Sequence, residues 1–312
     1  METVLPIWWW APEIVTQMEA TPAASTSFPL EEAEMQFLLF ACAGPGEVES
    51  SPPPAEHLIS DYAVEWSTEP TPLSAGTPGE FTIRVRDQDG HPVEDLQQNH
   101  ERMIHTMLVS ADWSSFQHVH HEDFAALSVD NIRSATFRFP LRLPLSGRYL
   151  LMFGYAHQNQ WLFTDDFMDV EGSPAQAAAP DLSLSSETTV DNLVVTVDWP
   201  ASPSAGYETT WTVHISQADG TPVEDLVPYL GADAHAALVN DSLTWGSHTH
   251  AWFPDMDRMS PGMEMPHLYN GPEIPFVYTF PNAGMHKMWI QFARESLPDV
   301  VYTAPFVFSV SP

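Results

Sequence analysis

The residues in this chain best suited to chemistry lie between His105 and His120, HTMLVSADWSSFQHVH. If the turn of a β-hairpin centres on Asp112 and Trp113, His105 stands opposite His120 and Met107 opposite His118. Side chains alternate along a strand, so all four share one face. Opposed Cβ atoms in an antiparallel pair are about 4.5 to 5.5 Å apart, close enough for imidazole and thioether tips to meet on one ion. Met103, His100 and His121 are close by in sequence. Imidazole suits Cu(II), Cu(I) and Zn(II), and a thioether selects the softer Cu(I), so the set points to copper, with zinc as the alternative. The competing reading is a half-buried strand whose rings only satisfy hydrogen bonds.

A second set, His235, His248 and His250, has the same spacing, with Ala237 where the first has Met107. Three imidazoles make a nitrogen site with an open fourth position. A loop follows that contains Met256, Met259, Met263, Met265 and His267. It has neither strand nor helix period, and clustered thioethers on such a loop suit Cu(I). Met263, Met265 and His267 are the predicted ligands there, Met256 and Met259 the predicted apolar filler. Protonation of the imidazoles predicts loss of affinity below about pH 6.

The elements that position these residues form an internal repeat. Asp89-Gly90, Pro92-Val93-Glu94-Asp95-Leu96, His105, His118 and His120 recur 130 residues later as Asp219-Gly220, Pro222-Val223-Glu224-Asp225-Leu226, His235, His248 and His250. Such fixed spacing marks duplicated units. Each copy ends in a Gly-led strand, Gly147 to Phe153 and Gly284 to Ile290, and the second copy carries seven extra residues between Ala251 and Pro275. Alternating runs such as Phe81-Thr82-Ile83-Arg84-Val85 before Asp-Gly turns predict an all-β chain. The predicted organisation is a disordered leader and tether over 1–59, a β-sandwich over 60–172, a linker over 173–181 and a second β-sandwich over 182–312. Trp113, Trp161, Trp211, Trp245 and Trp289 are expected in cores or on sheet faces.

The PVEDL turn, the His opening a strand, the HxH pair and the Gly-led final strand resemble secreted or periplasmic YtkA-like and CopC-like domains. The resemblance implies tandem immunoglobulin-like or cupredoxin-like β-sandwiches and, for some members, copper handling. Leu39-Phe40-Ala41-Cys42 resembles a bacterial lipobox, which implies an extracytoplasmic protein lipid-anchored at Cys42, although residues 1–41 contain no Lys or Arg.

Forty-two acidic residues against ten basic ones give a formal charge of −32, which repels phosphate backbones and excludes nucleic acid as an expected partner. A single cysteine rules out an intrachain disulfide and a Cys-based zinc cluster. Its place in the leader excludes a blue-copper centre. No phosphate loop, HExxH helix or nucleophile elbow occurs. The expected function is copper storage, buffering or delivery to a periplasmic or membrane copper protein. The alternatives are an immunoglobulin-like interaction module on a lipid tether and a zinc- or copper-dependent enzyme.

Overall fold

A computed structural model describes residues 62–312 apart from positions 255, 261 and 264 and the side chain of Asp257. The expected tether over 1–59 and the acylation site Cys42 lie outside the described residues. Among those described, no helix is long and apolar enough to cross a membrane.

The chain is all-β, two tandem β-sandwiches. The first repeat has strands β1 (Ala63–Glu69), β2 (Gly79–Arg86), β3 (Ile104–Ser110), β4 (Phe116–Val119), β5 (Thr136–Leu141), β6 (Gly147–His157) and β7 (Gln160–Val170). They pair in the orders β1-β2-β5 and β4-β3-β6-β7. The second has β8 (Glu187–Val190), β9 (Leu193–Asp198), β10 (Glu208–Gln217), β11 (Leu226–Val227), β12 (His235–Asn240), β13 (Gly246–His250), β14 (Glu273–Thr279), β15 (Gly284–Arg294) and β16 (Leu297–Val310). One sheet runs β14-β10-β9-β8; the other runs β11-β15-β12-β13, with β16 also paired to β15.

Period-two alternation fills each core. Phe81, Ile83 and Val85 of β2 point into the first, and their counterparts Trp211, Val213 and Ile215 of β10 point into the second. The PVEDL segment serves both copies alike. Val93 and Val223 enter the cores, Asp95 accepts a hydrogen bond from His157 Nε2 at 2.8 Å, and Asp225 accepts one from Arg294 Nε at 2.7 Å. Gly90 and Gly220 adopt φ of +80° and +87°, the left-handed region that the preceding turns require.

Strands β3 and β12 differ from the rest in being buried along their whole length. Ile104 and Leu108 face the first core, and Ala236 and Leu238 the second. On their opposite faces, Met107 and Val109 meet Ala237 and Val239 in a third apolar cluster that also holds Trp113, Leu150, Met152, Leu243, Trp289 and Val307. This cluster joins the repeats. Phe116 stacks on Trp289 with ring centroids 4.8 Å apart, and Lys287 Nζ donates to the Trp113 carbonyl at 3.0 Å.

The expected linker is stitched down. Gln176 accepts from Ala111 N at 3.0 Å and donates to the Arg148 carbonyl at 2.9 Å, and Ala177 N donates to Asp112 at 2.8 Å.

Candidate metal centre

The hairpin register is the one the sequence predicts, with Met107 opposite His118 in β3–β4 and His235 opposite His250 in β12–β13. Turn chemistry fixes it. The Asp112 carboxylate accepts from Ser110 Oγ, Ser114 N and Ser114 Oγ at 2.7, 3.1 and 2.7 Å, while Asn240 Oδ1 accepts from Thr244 N and Trp245 N at 3.0 and 3.1 Å.

His105, His118 and His120 converge at one end of this hairpin. His105 Nδ1 lies 3.2 Å from His118 Nε2 and 3.1 Å from His120 Nε2, and the latter two are 3.0 Å apart. The far nitrogen of each ring is spoken for. His105 Nε2 donates to the Asn99 carbonyl at 3.1 Å, His118 Nδ1 to Gln291 Oε1 at 2.8 Å and His120 Nδ1 to Asp123 Oδ2 at 2.8 Å. A neutral imidazole has one proton, so the three facing nitrogens present lone pairs to one another. Three nitrogens so spaced, their lone pairs facing one another, would hold an ion that takes imidazole ligands. Outer partners that fix tautomer and orientation are what metal-bound histidines have.

His235, His248 and His250 form the second triad. His235 Nδ1 is 3.0 Å from His248 Nε2, and His235 Nε2 donates to the Tyr229 carbonyl at 2.6 Å, which repeats the His105–Asn99 arrangement 130 residues on. His250 Nε2 is buried with no hydrogen-bond partner among the described residues, a cost that an ion would remove.

Burial holds His105, His120, His235, His248 and His250 well below the usual imidazole range. Repulsion from neighbouring rings adds to this, led by His120 for His105 and by His118 for His120. Burial likewise takes His118 to about 4, against the opposing pull of Gln291 and Asp123. Burial thus extends the neutral form, the one that binds metal, to lower pH than in free imidazole, which moves the expected loss of affinity below the pH 6 read from the sequence.

The remaining predicted residues are spread around this cluster. Met107 is buried in the apolar seam beside the first triad. His121 turns away, its Nδ1 against the Arg138 backbone. All four loop methionines, Met256 and Met259 as well as Met263 and Met265, line one pocket of about 160 Å³ with His100, Trp161 and His250. The expected division between filler and ligand pairs is not visible in that lining. His267 bonds the Asp233 carboxylate through Nδ1 and lines an adjoining cleft with Met263 and Met265. Trp161, expected in a core or on a sheet face, lies on β7, is 42% exposed and stacks near His100 with centroids 5.9 Å apart. Sequence reasoning left out Gln291 and gave His100 no role. His100 takes φ of +47° and brings its ring within 3.9 Å of that of His250.

Fold and site together define a tandem β-sandwich protein with a largely buried three-histidine cluster in each repeat, His118 and His248 being the partly exposed members. The chain belongs to the family described as a domain of unknown function (DUF8832), which matches it twice, over residues 57–172 and 188–312. The expected resemblance to YtkA-like and CopC-like domains rests on sequence motifs alone; the family matched is DUF8832. Among curated proteins none matches the chain. Solved structures to which the chain is similar include red sea bream transglutaminase (9% identity, TM-score 0.23, 81% of this chain and 32% of that one). Others are the Yersinia pseudotuberculosis adhesin InvE (13%, 0.22, 80% and 58%) and the Escherichia coli adhesin FdeC (15%, 0.24, 81% and 65%). The chain thus spans 32% to 65% of those chains, and at such scores the likeness assigns it no activity.

Proposed function

We propose that this is a copper-binding protein that stores, buffers or delivers the ion outside the cytoplasm, each repeat contributing a three-histidine site. The observation that carries this reading is the triangle of His105 Nδ1, His118 Nε2 and His120 Nε2 at 3.0 to 3.2 Å, with every outward nitrogen already donating. Three neutral imidazoles suit Cu(II), Cu(I) or Zn(II). The thioether pocket beside His250 favours copper over zinc, because thioethers select the softer Cu(I). Met263 and Met265 retain Cu(I) there, with His267 in the adjoining cleft that the same two methionines line. Export and acylation at Cys42 supply the location, and a periplasmic or membrane copper protein is the partner.

The test is a calorimetric titration of the full chain with Cu(II), Cu(I) and Zn(II), using the double variant His118→Gln, His120→Gln as control. The reading requires copper binding tighter than micromolar, about −8 kcal/mol, reduced by one site in the control. Weaker binding of every metal leaves the interaction-module reading, with histidines that serve packing alone.

A further inference from the structure

The two triads are not separate. His118 of the first lies beside His248 and His235 of the second, with ring centroids 5.0 and 6.1 Å apart, and His105 is 5.4 Å from His248. The distance from His105 to His118 within the first triad is also 5.4 Å, so the nearest rings of different triads are as close as the widest pair within one. The repeats also share supporting groups. Gln291 of β15 orients His118 of β4. His100, from the first repeat, sits 3.9 Å from His250 and 6.1 Å from His235 of the second, and 6.2 Å from His105 of its own. The second repeat has Leu230 at the matching position, so this seventh ring is an asymmetric addition rather than a consequence of duplication. The apolar seam of Met107, Val109, Ala237 and Val239 lies next to the cluster along the same strands and holds the two hairpins together.

We propose that the six triad histidines form one dinuclear copper centre spanning the inter-repeat face, with His100 between its halves. This rests on the copper reading above and goes beyond it, since two separate carriers in tandem would satisfy that reading equally. Adjacency has a direct electrostatic consequence. Two ions held by neighbouring buried rings repel without intervening bulk water, and two divalent ions do so roughly four times as strongly as two monovalent ones at the same separation. The centre therefore accepts a pair of Cu(I) ions readily and resists a second Cu(II). Binding at one triad is coupled to binding at the other.

The experiment is a Cu(II) titration of the full chain followed by calorimetry and by electron paramagnetic resonance with spin counting. Cu(II) is the probe because it has little affinity for the thioether pocket. The expected result is one tight site and a second at least about tenfold weaker. The weak site should become tight when the other triad is removed, by His118→Gln with His120→Gln or by His235→Gln with His248→Gln. At full loading the integrated spin should fall below two per chain, or a half-field signal should appear. That readout needs no variant, so it stands even if the substituted chains misfold. Two uncoupled spins with affinities indifferent to the other triad would overturn the dinuclear centre while leaving the copper function intact. No copper binding at all would overturn both.

Discussion

At His118 the two ring nitrogens have different tasks, Nδ1 donating to Gln291 and Nε2 facing His105 and His120. Replacing Gln291 with Ala removes no ligand yet frees the ring to turn, so copper affinity at the first triad should fall about 10- to 100-fold, as for other outer-shell partners. Calorimetry on the variant, with circular dichroism to confirm the fold, checks this. The same burial makes the metal-free protein acid-sensitive. In the unfolded chain these histidines take up protons near pH 6.5, whereas in the folded chain they stay neutral until much lower pH, about 4 for His118. The unfolded state therefore binds more protons between those values, and stability should fall as pH drops from 6.5 toward 4. The metal-free melting temperature, measured from pH 7.5 to 4.5, should decline across this window and be flat above it. The six triad histidines were legible from spacing, because alternation and register follow from the pleat. Their outer partners were not: Asn99 and Tyr229 act through backbone carbonyls, which carry no residue-type signal, and Gln291 belongs to the other repeat.

At the level of elements, β3 and β12 carry the argument. Their near-continuous apolar runs report burial on both faces, and only pairing with another sheet explains that in a sandwich. The alternation of the hairpin is legible in its residues, but what its outer face packs against is not. Gly246, at the start of β13, shows how close that packing is: a Cβ there would run into the Met152 sulfur from the first repeat and lie 3.3 Å from the Leu238 carbonyl. Gly246→Val should therefore cost about 1 to 3 kcal/mol by overpacking, read as a lower urea midpoint, and should loosen the seam that aligns the triads. The inserted loop was legible as a feature by composition. That its methionines open onto His250 depends on the path of a segment with no period of its own.

For the molecule as a whole, the repeat and the all-β class were legible, since 130-residue spacing and period-two alternation survive without any tertiary knowledge. The face-to-face placement of the repeats was not, because it depends on the fit of two surfaces, Phe116 on Trp289 among them. The chain's single lysine, Lys287, is spent on this seam, its ammonium bound to the Trp113 carbonyl. An ion held by the folded state alone stabilises it by mass action, about 4 kcal/mol at a thousandfold excess over Kd. Copper should accordingly raise the melting temperature by on the order of 10 °C, and a chelator should reverse the shift. The central claim, copper held by imidazoles on the paired hairpins, is tested most directly by X-ray absorption of the copper-loaded full chain after desalting. The account predicts a first shell of about three nitrogens at roughly 2.0 Å with imidazole outer-shell scattering. A shell of sulfur alone at roughly 2.3 Å, or copper lost on desalting, would contradict it.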